Sequence, residues 1–403
     1  MNNEFNQEID RRNTSAIKWE IIQDRNDPEL WVKTDAYFGK SRILPMWVAD
    51  MDLASPEPVL KALEERAKHP IYGYTMADES YYQAVSGWMH RRQGWNIQED
   101  WIVTTPGVIP ALHVVVRTFT SPGQKVLVQR PVYYPFFSAI EDNHRRVISN
   151  SLVLEDKNYT MDFDDLEKKT ADPDVTMAIL CNPHNPVARV WSIEEIRNFA
   201  EICLKNNVLV VSDEIHGDLI YPGNRFTPIG VLEDELIQNS VICTAPSKTF
   251  NLAGLHNSNI IIPNVKIRHK FKQALKTIGY LGPSPFALVA CKAAYDAGEA
   301  WLERLLRHLD ANMNLLKSEF AQRIPHIPVI NPQGTYLVWF DCRALNLDHL
   351  ELRTRMIEKA RVFLDEGYIF GPEGNGFERI NIACPQSVLR EAIDRIATMI
   401  LSI

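Results

Sequence analysis

No uninterrupted apolar stretch in this 403-residue chain reaches the length of a membrane span. The first fifteen residues, MNNEFNQEIDRRNTS, hold no apolar core. No signal peptide is therefore expected, and the expected location is the cytoplasm. Positive charge is in deficit: 43 Lys and Arg stand against 51 Asp and Glu, a net charge of −8. That disfavours a nucleic-acid partner and gives no reason to expect a membrane surface. An anionic substrate would have to be held by a local cation. The six cysteines, Cys181, Cys203, Cys243, Cys291, Cys342 and Cys384, form no C-x-x-C pair and mostly stand in apolar stretches. Neither a zinc site nor a disulfide framework is expected; the thiols read as small core residues of a reducing compartment. Internal repeats, low-complexity segments and long linkers are missing too.

What remains is an ordinary globular composition, 45% hydrophobic and 23% charged. The length suggests two to three domains. Between about 100 and 290, short apolar strands alternate with helical patterns. The segments KVLVQR (125–130), TMAIL (176–180), VLVVSDE (208–214), VICTAPSK (241–248) and NSNIII (257–262) are near-continuous apolar runs. Such runs fit strands buried on both faces of a parallel sheet. The stretch 192–207 predicts a helix that opens with a Ser192/Glu195 capping box and buries Ile196, Phe199 and Ile202. Further on, 298–324 predicts a long amphipathic helix with its stripe at Trp301, Leu305, Leu309, Met313, Leu316 and Phe320. After it, 334–342 and 378–385 read as strands, while 349–367 and 387–403 read as helices. The expected fold class is α/β with a smaller α+β domain. The expected organisation is an N-terminal segment over 1–55 contributing to the small domain, a large domain over 56–297, and a C-terminal small domain over 298–403.

In open α/β sheets, ligands sit beyond the carboxyl ends of the strands. TMAIL is followed by CNPHNP, with Asn182, His184 and Asn185. VLVVS is followed by Asp213, Glu214 and His216. VICTAPS is followed by Lys248, and KVLVQR by PVYYPFF. TTPGVIPAL (104–112) places Gly107 at a helix start, where free backbone N–H groups and the dipole suit a phosphate. An amine, an acid, an amide, an aromatic and an anion site together fit pyridoxal 5'-phosphate. That cofactor needs a Schiff-base lysine, an acid at its ring nitrogen and a flat partner for its ring.

The chain resembles fold-type-I pyridoxal-phosphate enzymes of the aspartate aminotransferase superfamily, and within it the MalY/PatB group of cystathionine β-lyases. The likeness covers nearly the whole chain. It is carried by MWVADMD (46–52), YGYT (72–75), TPGVIPAL (105–112), PVYYPF (131–136), CNPHNP (181–186), VVSDEIHGDL (210–219), APSKTFNLAGL (245–255) and FERINIACP (377–385). The resemblance implies a large domain with a mostly parallel seven-stranded sheet between helices. By position, Lys248 would be the Schiff-base lysine and acid/base, Asp213 the partner of the ring nitrogen, and Asn185 that of the phenolic oxygen. Tyr133 would stack on the ring, with Tyr134 as its nearest competitor. Gly107, Val108 and Ile109 would donate N–H groups to the phosphate, helped by hydroxyls near the lysine such as Thr244 or Ser247. Tyr74 would reach the phosphate of a partner subunit in a homodimer. Arg379, with Asn185, would hold the substrate carboxylate.

Some positions depart from these patterns. His216 stands where aminotransferases place a tyrosine, and is counted with the cofactor-binding positions. His256 replaces a frequent phosphate-binding arginine. Val187 and Ala188 replace a Thr-Gly pair, and Gln386 an arginine. The implied activity is α,β-elimination on cystathionine or a related L-cysteine S-conjugate, giving a thiol, pyruvate and ammonia. An aminotransferase with a 2-oxo acid acceptor, or a cofactor-binding regulatory protein with a protein partner, are the alternatives.

Overall fold

The computed structural model describes residues 4–23, 30–34 and 43–403, so part of the N-terminal segment lies outside the described residues. The chain divides into two compact units. One comprises 55–304 with 333–335; the other comprises 1–54, 305–332 and 336–403.

The larger unit is built on a seven-stranded sheet. Its strands are β1 (Ile102–Thr105), β2 (Lys125–Val128), β3 (Arg146–Ser149), β4 (Val175–Cys181), β5 (Leu209–Asp213), β6 (Ser240–Thr244) and β7 (Ser258–Ile261). In space they run β1-β7-β6-β5-β4-β2-β3. Strand β5 pairs in parallel with β4 and β6, and β2 with β3 and β4. Strand β7 is antiparallel to both of its neighbours. It is the one reversed strand, so β1 to β6 all end on the same rim. Every residue of β5 and β6 is buried, which is why they read as unbroken apolar runs. The two strands that the apolar runs did not announce, β1 and β3, are the two edges. Strand β3 has an exposed Arg146 and no fully buried residue.

The helix over Ile193–Lys205 begins with the expected capping box, Ser192 and Glu195 bonding reciprocally. A short return of the chain completes this unit. Tyr221 N–H donates to Gln333 O at 3.0 Å, Thr335 N–H to Leu219 O at 2.7 Å, and Gln333 Oε1 accepts from Arg189 at 2.6 Å.

The long helix runs Glu299–Arg323, and all six stripe residues are at least 96% buried. In the smaller unit a three-stranded antiparallel sheet joins β8 (Leu337–Asp341), β9 (Asp365–Glu366) and β10 (Phe377–Asn381), in the order β8-β10-β9. Trp339 stacks on Phe377 with centroids 5.1 Å apart and planes within 4°. The helix expected over 349–367 stops early. His349–Thr354 is α-helical, Arg355–Ala360 is a π-helix, and Arg361 turns left-handed at φ 56. The remainder becomes strand because Val362–Phe363 pairs with Leu44–Pro45 and Asp365–Glu366 joins the sheet. Pairing across the chain outweighed a local helical pattern. Near the N-terminus a buried charge cluster forms: Lys18 and Arg11 contact Asp52 at 2.8 Å each, and Trp19 Nε1 donates to the same carboxylate.

Candidate active site

The rim of the larger unit gathers most of the residues singled out in the sequence. Asp213 is the last residue of β5, and the register sets it beside Cys243 of β6 and Cys181 of β4. Its carboxyl is 95% buried and is pushed up to about 7 by that burial, against the pull of the Ile215 N–H and of the Lys248 charge. Lys248 is half-buried in a single helical turn, Pro246–Thr249, four residues beyond the end of β6. Amine and acid are thus held by neighbouring parallel strands, close enough to feel each other's charge. Thr244, which ends β6, is buried and donates its hydroxyl to Asn259 O at 2.9 Å. Ser247 is half-buried in the lysine turn.

After β4 the chain folds tightly through 182–189. Asn182 N–H donates to Asp213 O at 2.9 Å, and Asn185 N–H to Cys181 Sγ at 3.4 Å, with Asn185 96% buried. His184 is wholly buried and joins this turn to the segment after β2 through Nε2 and Pro131 O, at 2.9 Å. Burial lowers the imidazole to about 4, so it is neutral and Nε2 carries the donated proton. Tyr133 follows, half-buried, edge-on to Phe136 at 5.8 Å. Tyr134 is 37% exposed. Val187 and Ala188 are buried in the turn, and Ala188 takes φ 57, a left-handed conformation that a glycine holds with less strain.

Gly107 caps the helix Val108–Phe119. Its φ of 144 lies where side chains rarely go, and an added Cβ would meet the Pro110 ring at 3.4 Å. No side chain caps this helix and no acid stands in its first turn. Its forward N–H groups, on buried Val108 and half-buried Ile109, form the head of a twelve-residue helix. His216 is 97% buried in the loop after Asp213, its carbonyl accepting from Leu219 N–H. His256 is exposed at the end of the lysine loop, also left-handed at φ 51.

Two further positions lie on other elements. Tyr74 is 99% exposed on a segment without helix or strand. Arg379 belongs to β10 of the smaller unit, 98% buried. Its guanidinium pairs with Asp365, donates to Trp47 O at 3.1 Å and lies 4.9 Å from the Phe370 ring centroid.

The residues present fit pyridoxal phosphate. A buried carboxyl raised to about 7 is what a cationic ring nitrogen would return to its ionised form. An uncapped helix head that begins on a glycine with positive φ suits a phosphate group. Sequence reasoning passed over Asp218 and Thr249, which with Trp88 hold the lysine turn. Asp218 and Thr249 lie inside the motifs VVSDEIHGDL and APSKTFNLAGL, which was the available signal. Among the described residues no cluster of His, Cys, Asp or Glu has the arrangement of a metal site.

Comparison with known proteins agrees with this geometry. The profile of the family "Aminotransferase class I and II" matches residues 44–396. Cystathionine beta-lyase PatB of Bacillus subtilis is 43% identical over 392 residues, covering 97% of this chain and 98% of that protein. Among solved structures, cystalysin of Treponema denticola, which contains a pyridoxal 5'-phosphate cofactor, superposes with a TM-score of 0.94 at 38% identity, covering 100% of both chains. The pyridoxal-phosphate-bound C-S lyase of Staphylococcus hominis has a TM-score of 0.89 at 31% identity, covering 100% of this chain and 99% of that one. With a fold-type-I architecture and these full-length likenesses, the chain belongs to the class I and II aminotransferase family.

Proposed function

We propose that the chain is a pyridoxal-phosphate-dependent carbon–sulfur β-lyase, cleaving cystathionine or a related L-cysteine S-conjugate to a thiol, pyruvate and ammonia. The observation that carries this reading is the Asp213–Lys248 pair on adjacent strand ends, in a chain 43% identical over its length to a lyase. When bound, the cofactor supplies an electron sink that makes the Cα–H of an attached amino acid acidic.

The chain's own residues do the rest. Asp213 holds the positive charge of the ring nitrogen, and its carboxyl ionises as it gains that partner. Gly107, Val108 and Ile109 would donate N–H groups to the phosphate, with Thr244 or Ser247 hydroxyls beside them. Tyr133 would cover one face of the ring and Asn185 would donate to its phenolic oxygen. His216, buried in the loop after Asp213, would be a further cofactor-binding residue. Arg379 would hold the substrate α-carboxylate, the role its position within FERINIACP implies. The Nζ of Lys248 would remove the Cα proton. In the net reaction the Cβ–S bond would break, the thiolate would leave as the thiol with the proton taken from Cα, and the remaining three-carbon enamine would take up water to give pyruvate and ammonia.

A homodimer in the cytoplasm belongs to the same reading. Ile71, Tyr74, Met76 and Leu281 are 67%, 99%, 80% and 81% exposed on the larger unit, which supports burial against a second copy. Six free, buried cysteines are consistent with a reducing compartment. Among the described residues no helix is long and apolar enough to cross a membrane.

The test is incubation of purified, cofactor-loaded protein with cystathionine and no 2-oxo acid. Equal amounts of thiol and pyruvate, both abolished in Lys248→Ala, are expected. A strict requirement for a 2-oxo acid would identify an aminotransferase instead.

A further inference from the structure

The turn that carries Lys248 is only four residues long, and a helix that short does not hold itself. Its support comes from distant parts of the larger unit. Thr249, next to the lysine and fully buried, donates its hydroxyl to Asp218 Oδ2 at 2.8 Å. Trp88 Nε1 donates to the same oxygen at 3.1 Å. Phe250, the next residue, is also fully buried, its ring 5.3 Å from the Trp88 ring and tilted by 63°. Trp88 is itself stacked on Tyr295, with centroids 5.2 Å apart. Two consecutive residues after Lys248 therefore rest on one indole, Thr249 through a shared carboxylate oxygen and Phe250 by ring contact. Asp218 follows Asp213 by five residues in the same loop.

We propose that Asp218 is a positioning residue for Lys248, locking the lysine turn to the Asp213 loop through Thr249 and Trp88. The inference deepens the lyase reading and rests on it. Burial raises the Asp218 carboxyl, and the Thr249 and Trp88 hydrogen bonds pull it back; the shared oxygen Oδ2 only accepts, so the threonine hydroxyl and the indole N–H have one direction to point. The indole cannot be displaced without moving Phe250. The lysine amine must reach a Cα proton within hydrogen-bonding range, and a misplacement of about 1 Å costs on the order of 100-fold in rate.

The decisive comparison uses four holoenzymes, Thr249→Val, Thr249→Ser, Asp218→Ala and Asp218→Asn, with cystathionine as substrate. Asparagine keeps one carbonyl oxygen with two lone pairs, enough for both donors. We expect Thr249→Val and Asp218→Ala to lower kcat by roughly 10- to 100-fold, while KM for cystathionine changes by less than about threefold. Thr249→Ser and Asp218→Asn should recover most of the loss. Two readouts do not depend on turnover. The midpoint of visible absorbance against pH should shift in the two damaging variants. Their borohydride reduction should also fix cofactor on Lys248 more slowly than in wild type. Should Asp218→Ala fail to fold, the Thr249 pair decides. A Thr249→Val enzyme with wild-type kcat and absorbance midpoint overturns the proposal, as does a Thr249→Ser enzyme damaged equally with Thr249→Val. If the wild-type chain takes up no cofactor and cleaves nothing, the lyase reading fails first; an active wild type with an untouched Thr249→Val defeats only the positioning role.

Discussion

Replacing Asp213 with asparagine separates the electrostatic cost of the site from its chemistry. Even with the Lys248 charge nearby, burial raises the carboxyl from 3.8 to about 7. Below about pH 4 the group is protonated whether the chain is folded or not, and it costs nothing. Between about pH 4 and 7 unfolding releases a proton, so stability falls as the pH rises. At about 1.4 kcal/mol per unit the full cost approaches ~4 kcal/mol, and roughly 3 kcal/mol of it falls between pH 5 and pH 8. For a unit of about 250 residues that is a drop of roughly 6–12 °C in Tm. The assay is thermal unfolding of cofactor-free wild type and Asp213→Asn at the two pH values, followed by circular dichroism. Glu214, pushed up to about 8 by burial, slopes the same way in both proteins and largely cancels. The wild type should lose the extra degrees on going to pH 8, and the variant should not. Loading the wild type with pyridoxal phosphate should flatten its slope, because the ring nitrogen supplies the missing charge. An Asp213→Asn protein whose Tm falls as steeply as that of wild type would refute the reasoning.

Three further outcomes are expected. Arg379→Ala strands buried Asp365 and should cost about 3–5 kcal/mol of stability. Adding Asp365→Asn should restore most of that in a denaturation curve, yet leave KM for cystathionine raised at least about tenfold. Gly230→Ala would place a methyl 2.1 Å from the Trp95 ring, so a loss of about 3 kcal/mol is expected; a Tm within about 2 °C of wild type would contradict it. The double variant Tyr74→Ser, Met76→Ser should weaken self-association at least about tenfold by light scattering, and a wild type that stays monomeric at micromolar concentration would contradict the dimer.

Much of the larger unit was legible because its central strands are buried on both faces. Runs such as VLVVSD and VICT announced themselves, and so did the polar residues at their ends. Edge strands β1 and β3 gave weaker runs, since an edge needs less apolar cover. In the smaller unit, 349–367 has a helical spacing that ends at Arg361 for reasons set by distant partners. The site divides in the same way. Lys248, Asp213 and Asn185 follow strands whose ends could be read. Asp218 is one aspartate among many until the fold brings Thr249 and Trp88 to it from 31 and 130 residues away. The Arg379–Asp365 pairing was equally hidden, because cross-strand register decides it.

The return of 333–335 to the larger unit has a consequence for how the protein is made. That unit spans 55–304 and is then finished by three residues encoded about thirty codons later. Gln333 and Thr335 bond residues Arg189, Leu219 and Tyr221 within it. On the ribosome, at about 5–20 residues per second, the unit waits roughly 2–6 s for that last stitch after Arg304 is added. A truncation at 304 would leave it permanently unstitched. The stitch also makes the fold a poor subject for division into separately expressed halves: a cut placed anywhere between 304 and 333 parts the larger unit from a strap it needs.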